Sequence, residues 1–166
     1  SGWKVTSGDP SIWFVENGML VGRSNAKKEG SIIGTAKTYK NFIMDFDVKY
    51  LPPGDSGVTM REPPLQMQIG TSASLRTELT GSFYLGALGY TDYSTAKESW
   101  KHFKPGDWNN IRIQARGAIF TVYINDQMVI RYADDKHPDP GPLTFQVHQN
   151  FDMRVEFKNV RVAELN

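Results

Sequence analysis

The sequence predicts an all-β fold, a two-sheet antiparallel β-sandwich of the jelly-roll type. Two observations carry this prediction. Many short segments alternate apolar and polar side chains, as half-buried strands do, and turn-forming residues separate these segments at regular intervals. No segment keeps an apolar period of 3.6 residues, and residues 92–102 suggest one helical turn at most.

The clearest strand covers residues 42–50. Phe42, Met44 and Phe46 share one parity, whereas Asp45 and Asp47 share the other. An antiparallel strand with one face in the core and one in water produces this pattern. A retaining glycosidase of a related fold also uses alternating acidic residues, but a solvated sheet face is the simpler interpretation of this pair.

Turn residues separate the other strands. Asn17-Gly18 lies between two apolar runs and predicts a hairpin, because both residues tolerate positive φ. Near the C-terminus the buried parity changes between Phe157 and Val160. A β-bulge near residues 158–159 would return the apolar side chains to the core.

Three of the alternating segments carry an unusual set of polar side chains. Residues 58–61, 65–69 and 143–148 each direct apolar side chains to one face, which leaves the polar ones for the other. That polar parity contributes Arg61, Gln66, Gln68, Gln146 and His148. If the three strands are neighbours in one sheet, these groups form a platform suited to a polyhydroxylated ligand.

Size and composition limit the other possibilities. The 166 residues (18.7 kDa) suffice for one well-buried core, and we predict one domain spanning residues 1–166. The formal net charge of +1 gives no broad attraction for nucleic acid. With no cysteine, thiol catalysis and thiolate metal sites are excluded. No apolar run is long enough to span a bilayer, so membrane insertion is not expected.

Short motifs along nearly the whole chain resemble the 3-keto-disaccharide hydrolase domain family, which belongs to the concanavalin A-like lectin and glucanase superfamily. Each motif alone is weak, but they occur in the family's order. The matching segments are Trp13–Leu20, Tyr39–Phe42, Gly54–Val58 with Arg61, Leu65–Ile69, Thr80-Gly81 with Tyr84, Gly106–Asn109, Ile124–Asp126, Phe145–His148 and Phe157–Val160.

This resemblance implies a concanavalin A-like jelly roll, exported by bacteria, that cleaves glycosides oxidised to a ketone at sugar carbon 3. Such a ketone acidifies the proton at carbon 2, so a general base can remove it while the glycosidic oxygen leaves. By the same resemblance, His148 is the base or acid and Arg61 stabilises the enolate. The expected ligand is a saccharide or 3-keto-saccharide, and its hydroxyls are held by Gln66, Gln68, Tyr84 and Gln146.

The sequence also departs from the family pattern. Gln66 occupies the position of an acidic residue, and Gly70 replaces an aspartate commonly found after that strand. Three alternatives therefore remain open for the chemistry. His148 suffices, a nearby carboxylate such as Glu62 or Glu78 substitutes, or the platform binds sugar without cleaving it. Without the family's carboxylate we predict no metal site and no cofactor, although a divalent cation stays possible in principle.

Two further functions stay open beside catalysis. The chain fits a non-catalytic carbohydrate-binding module of a larger enzyme or surface protein, and it also fits a structural sandwich with a solvated polar face. In the structural interpretation, Arg61 forms an ion pair with a loop carboxylate such as Asp55. His102 and His137 lie among charged or proline-rich residues and are predicted to be exposed and uninvolved.

Overall fold

The computed structural model describes residues 2–72 and 74–166 and contains two antiparallel sheets packed face to face. The prediction of a two-sheet antiparallel sandwich is confirmed. The six-stranded sheet has the order β1-β4-β12-β6-β7-β8, and the seven-stranded sheet has the order β11-β10-β9-β5-β13-β3-β2. The strands are β1 (Trp3–Gly8), β2 (Trp13–Glu16), β3 (Met19–Arg23), β4 (Ser31–Tyr39), β5 (Phe42–Tyr50), β6 (Asp55–Met60), β7 (Leu65–Gly70), β8 (Phe83–Tyr84), β9 (Asn109–Arg116), β10 (Ile119–Ile124), β11 (Gln127–Ala133), β12 (Gly141–Val147) and β13 (Arg154–Glu164).

Helical structure in the described residues is limited to single turns. Three 3-10 helices cover Pro10–Ile12, Gly86–Leu88 and Ser99–Lys101. The third lies inside the segment for which one helical turn was predicted. None of the described helices has the length and hydrophobicity needed to cross a lipid bilayer.

The core lies between the sheets and follows the predicted alternation. Phe46 of β5, Phe145 of β12 and Phe157 of β13 meet there, with the rings of Phe145 and Phe157 stacked at 3.9 Å between centroids. Val58 and Met67 are fully buried on the same side. Removing this apolar surface from water supplies the main driving force for folding.

The predicted turns are confirmed. Asn17 and Gly18 have φ values of 51° and 76°, as a tight hairpin between β2 and β3 requires. In the pairing of β13 with β5 the register shifts between Lys158 and Arg161, which is the predicted bulge. Asn159 sits inside it with a φ of 54°. The bulge returns the apolar residues of β13 to the core.

Asp45 belongs to a charge network on the seven-stranded sheet, away from the polar platform. Arg112 and Arg161 donate hydrogen bonds to its carboxylate at 3.1 and 3.0 Å, and Asn110 donates another at 3.2 Å. Burial raises the pKa of Asp45, but these hydrogen bonds outweigh it and hold that pKa below the usual 3.8. This carboxylate therefore stabilises the fold as an anion.

We expect Asp45→Asn to lower the free energy of unfolding at pH 7 and to matter less in acid. A carboxyl group with a depressed folded-state pKa contributes stability above its unfolded pKa of about 3.9, and that contribution is lost as the pH falls through the folded value. Urea unfolding of both proteins at pH 7 and pH 3 checks this. A difference between the proteins that stays constant from pH 7 to pH 3 would contradict the assignment.

Candidate functional site

The three strands that carry the predicted platform are consecutive in the six-stranded sheet, in the order β12-β6-β7, with β8 beyond them. Their polar parity forms the face turned away from the core, called the outer face below. Thr144 lies opposite Thr59, Thr59 opposite Gln66, and Gln66 opposite Tyr84, which makes one row across four strands. The predicted platform required these three strands to be neighbours in one sheet, and they are.

Gly57 lies at the middle of the outer face, where the Gln66 side chain packs over it. It lies opposite Gln68, and because Phe145 pairs with Val58, the next position of β12 places Gln146 on its other side. A Cβ atom at Gly57 would approach the carbonyl oxygen of Met67 to 2.9 Å. A larger residue is therefore disfavoured at this position, since its Cβ atom would also lie 3.1 Å from Gln66 Nε2.

Gln68 lies on the predicted face, but Tyr90 covers it. Its side-chain oxygen accepts a hydrogen bond from the Tyr90 hydroxyl at 2.8 Å, and its Nε2 donates to Asp55 Oδ1 at 2.8 Å. Only 1% of Gln68 is exposed. The prediction that Gln68 holds sugar hydroxyls is therefore corrected, because both ends of its amide are already bonded inside the protein. It orients the Asp55 carboxylate instead.

Tyr90 acts as a permanent donor in this chain of hydrogen bonds. Burial raises the pKa of its hydroxyl well above the ordinary value, and the nearby Asp55 and Tyr84 raise it further. The hydroxyl therefore keeps its proton at neutral pH. With its oxygen occupied by Tyr90, the amide of Gln68 is held in the orientation that points its NH2 group at Asp55.

Asp55 is the functional candidate that sequence reasoning missed. It begins β6 directly opposite Gly70, the position where the family carries an aspartate. A Cβ atom at Gly70 would come within 2.2 Å of the Gly54 carbonyl oxygen, and the φ of Gly70 is +95°. An aspartate at position 70 is therefore sterically excluded here, and the carboxylate on this part of the sheet comes from the neighbouring strand. The sequence signal that could have found Asp55 is its parity with Gly57 and Thr59, which places all three on the outer face.

His148 follows β12 at the end of the outer face. Its backbone N–H donates to the Asp55 carbonyl oxygen at 3.2 Å, which continues the ladder and places the two side chains on neighbouring positions. Its Nδ1 lies 2.7 Å from the Gln149 carbonyl oxygen. A carbonyl can only accept, so Nδ1 carries the proton, and in the neutral ring Nε2 keeps its lone pair. That tautomer is the one a general base needs.

Gln146 and His148 line the same cavity. It has a volume of about 310 Å³ and is also lined by Ser7, Ser31, Ile32 and Gln149. Both predicted residues are half-buried. Gln66 is half-buried two strands away, and its Nε2 lies 3.4 Å from Gln68 Oε1. The structure thus brings the imidazole and the carboxamides onto one face.

Tyr84 marks the far side of the outer face. It lies on β8 opposite Gln66, and 42% of it is exposed. Its ring contacts Tyr90 at 5.4 Å between centroids with a tilt of 55°. A phenol in this position offers both an apolar ring and a hydroxyl to a ligand. The predicted placement of Tyr84 beside the glutamines is therefore correct.

Arg61 does not stand on the outer face, and this part of the prediction is wrong. Its φ of +66° departs from extended geometry, so the strand alternation ends before it. Its guanidinium donates to the backbone oxygens of His137 and Gly117 at 3.2 and 2.9 Å and lies 5.2 Å from the ring centre of Phe120. Only 1% of Arg61 is exposed. It connects two loops and has no access to a ligand on the platform.

The proposed ion pair between Arg61 and Asp55 is also wrong. Asp55 begins β6 and Arg61 follows its end, about 20 Å away along an extended chain.

The other two carboxylates considered are engaged or distant. Glu78 accepts hydrogen bonds from Tyr50 and Thr80, and Glu62 is exposed beyond the end of β6. Among the acidic residues named in the sequence analysis, Asp55 is the one that the outer face holds beside His148.

The outer face therefore offers distinct chemical groups within a few residues of one another. They are an imidazole with a free lone pair, a carboxylate in fixed orientation and two accessible carboxamides. Such a set can accept and donate hydrogen bonds to several hydroxyls and can move one proton. No group of three or more His, Cys, Asp or Glu side chains with metal-binding geometry occurs in residues 2–72 and 74–166.

Comparison with known proteins gives a family and a fold. A family model described as a 3-keto-alpha-glucoside-1,2-lyase-like domain matches residues 1–163. A protein from Parabacteroides distasonis, named provisionally as a glycosyl hydrolase, superimposes with a TM-score of 0.73 at 19% identity over 99% of this chain and 100% of that one. The carbohydrate-binding module CBM66 from Bacillus subtilis gives 0.69 at 17% identity, over 99% and 96% of the two chains.

A lectin domain has a similar architecture. The carbohydrate recognition domain of Emp46p in its metal-free form superimposes with a TM-score of 0.66 at 11% identity, over 97% of this chain and 87% of that one. At such identities the superpositions establish the fold alone. No curated protein matches the sequence.

Proposed function

Because the chain belongs to the 3-keto-alpha-glucoside-1,2-lyase-like domain family, we propose that it cleaves 3-keto-glucosides on the outer face of its six-stranded sheet. In this proposal His148 is the general base, and Gln66 and Gln146 bind the sugar. The observation that carries it is the 2.7 Å contact between His148 Nδ1 and the Gln149 carbonyl oxygen, from which we infer the tautomer. The contact between Nδ1 and the Gln149 carbonyl leaves the Nε2 lone pair for a substrate proton.

The reaction is an elimination. His148 Nε2 takes the proton from sugar carbon 2, and the electrons of that C–H bond form an enolate with the ketone at carbon 3. Collapse of the enolate forms a double bond between carbons 1 and 2 and breaks the bond from carbon 1 to the glycosidic oxygen. The departing oxygen takes a proton, which the imidazolium of His148 can return. Hydrolysis results if water later adds across the double bond.

The other groups stabilise charge and fix the sugar. Enolate formation places negative charge on the oxygen at carbon 3, and an amide N–H from Gln146 or Gln66 can donate to it. The Asp55 carboxylate is only 5% exposed and accepts a hydrogen bond from Gln68, so it holds that amide in place and does not contact the sugar. Arg61 takes no part, since its guanidinium is bonded to backbone carbonyls.

Turnover of matched substrates tests the proposal. We expect the protein to release nitrophenol from 4-nitrophenyl 3-keto-α-glucoside and not from the parent 4-nitrophenyl α-glucoside, because the ketone alone makes the proton at carbon 2 acidic. Absorbance of the released nitrophenolate measures both rates. Equal cleavage of the two glucosides would indicate ordinary glycosidase chemistry, and no cleavage of either would remove the catalytic assignment.

A second candidate is a non-catalytic carbohydrate-binding module, possible as part of a larger exported protein. The observation that favours it is that the accessible groups of the platform, Gln66 and Gln146, are amides, which bind hydroxyls but take up no proton at neutral pH. The superposition on the Bacillus subtilis module supports a fold compatible with this role. Calorimetric binding of a 3-keto-glucoside without any turnover would favour the module over the enzyme.

A further inference from the structure

A cleft opens where the edge strands of the two sheets approach one another. Here it is called the edge cleft. Its volume is about 690 Å³, and β8 contributes Tyr84 while β11 contributes Tyr132 and Ala133. Loops complete it with Leu88, Tyr93, Asp134 and His137. The cleft is thus larger than the cavity beside His148, and the mechanism described above makes no use of it.

Aromatic side chains form one wall of the edge cleft. Tyr93 is 61% exposed and stacks on Tyr132, with 6.2 Å between ring centroids and 9° between planes. Tyr132 in turn stacks on the core residue Phe83 at 4.9 Å. The exposed ring of Tyr93 is therefore supported from behind by two further rings. A supported flat apolar surface suits the C–H face of a pyranose.

A carboxylate stands beside this aromatic wall. Asp134 accepts hydrogen bonds from the Tyr132 hydroxyl and from the backbone N–H of Lys136. Burial raises the pKa of Asp134, but these hydrogen bonds, with the charges of His137 and Lys136, hold it below the usual 3.8. The group is therefore an anion with fixed geometry, able to accept hydrogen bonds from sugar hydroxyls through its remaining lone pairs.

His137 also lines the cleft, and it is half-buried and not exposed as predicted. Its Nδ1 contacts the Pro63 carbonyl oxygen at 2.6 Å, and its Nε2 lies 3.6 Å from Asp134, with 14% of the His137 side chain exposed. Buried Arg61 holds the same loop through the His137 carbonyl and holds the neighbouring turn through Gly117. Arg61 is therefore a positioning residue for this wall.

The edge cleft is continuous with the outer face. Tyr84 lines the cleft and also lies opposite Gln66 on the platform. From Gln146 on β12 to Tyr84 on β8 the face crosses three strand spacings, about 15 Å, which exceeds the width of one pyranose ring. A single sugar beside His148 therefore leaves Tyr84 and the cleft free for further units.

We propose that the edge cleft is a subsite for additional sugar units of the same chain, so that the preferred ligand is an oligosaccharide longer than a disaccharide. This inference rests on the proposed saccharide site of the outer face. Tyr93 supplies the stacking surface, and Asp134 accepts hydrogen bonds from the sugar hydroxyls. Tyr84 lies in both sites and joins them.

Calorimetric titration with α-linked gluco-oligosaccharides of one to four units tests the subsite. We expect affinity to rise between two and four units by roughly fivefold to tenfold, the scale of one aromatic contact. Tyr93→Ala and Asp134→Asn should each abolish this rise without changing the affinity for the shorter ligands. Trp100→Ala is the matched control, because Trp100 is 62% exposed and does not line the cleft.

The outcomes separate the two proposals. Binding that does not rise with length, or a rise that survives Tyr93→Ala, overturns the subsite and leaves the outer-face proposal intact. If no oligosaccharide binds while 4-nitrophenyl 3-keto-α-glucoside is still cleaved, the subsite fails alone. If the protein neither binds the series nor cleaves that substrate, both proposals fail together.

Discussion

His148→Ala is expected to lower the rate of 3-keto-glucoside cleavage by about 10²–10⁴-fold, the usual contribution of a positioned general base. The loss should fall on kcat more than on KM, because the carboxamides of Gln66 and Gln146 that bind the sugar stay in place. The side chain of His148 is half-buried at the end of a strand, so its removal should leave the fold intact. Circular dichroism and thermal unfolding verify that point.

A matched control and a rescue make this prediction specific. His102 lies outside the outer face and its cavity, so His102→Ala should keep full activity. Added imidazole should restore part of the rate of His148→Ala, since a free base can occupy the vacated space. If His148→Ala keeps more than about a tenth of the activity, the base is another group, and Asp55→Asn becomes the decisive variant.

Arg61→Ala is expected to lower the free energy of unfolding by about 3 kcal/mol. The change removes hydrogen bonds from a charged donor to the carbonyls of His137 and Gly117, each worth about 1.5–3 kcal/mol. Part of this loss is offset because a buried charge is removed along with its desolvation cost. Arg61 Nε, which is buried without a partner, shows that this cost is incompletely compensated.

Thermal and urea unfolding measure the effect, which corresponds to a fall in Tm of roughly 6–12 °C for a chain of this size. Arg116→Ala is the matched control, because Arg116 is exposed near the same hairpin and should change stability by less than about 0.5 kcal/mol. A stable Arg61→Ala protein that had lost all turnover would contradict the structural role and return Arg61 to the reaction.

The fold was predictable because alternation is a local signal. Phe42, Met44 and Phe46 face the core in the structure as their parity required, and Asn17-Gly18 turns the chain where predicted. Periodicity alone could not predict that the three polar strands are neighbours in one sheet. Strand order depends on which edges pair across long sequence separations, and only the family resemblance carried that information.

The site residues were predictable where the strand stays regular. Gln66 and Gln146 lie where alternation placed them, and Tyr84, which only the resemblance named, lies opposite Gln66. Arg61 was mistaken because a single residue with positive φ ends the alternation, and a polar side chain outside the rule can turn inward if backbone carbonyls receive it. Gln68 was placed on the correct face, but a loop distant in sequence brings Tyr90 over it.

Asp55 was overlooked because it was predicted to be a loop carboxylate, whereas the structure begins β6 at Asp55. The steric exclusion at Gly70 depends on the close approach of the Gly54 carbonyl, a contact between strands that no local pattern reveals. The sequence comparison therefore looked for the carboxylate at position 70 on β7, whereas it lies at Asp55 on β6. Its position opposite Gly70 is the feature that restores an acidic group to the outer face.

The most direct test of the account is the isotope effect at sugar carbon 2. With 4-nitrophenyl 3-keto-α-glucoside carrying deuterium at that carbon, cleavage by the wild-type protein should be slower than with hydrogen, because His148 breaks that bond during turnover. Equal rates for the two isotopes, together with product that retains its deuterium, would show that the bond is never broken and would contradict proton removal on the outer face.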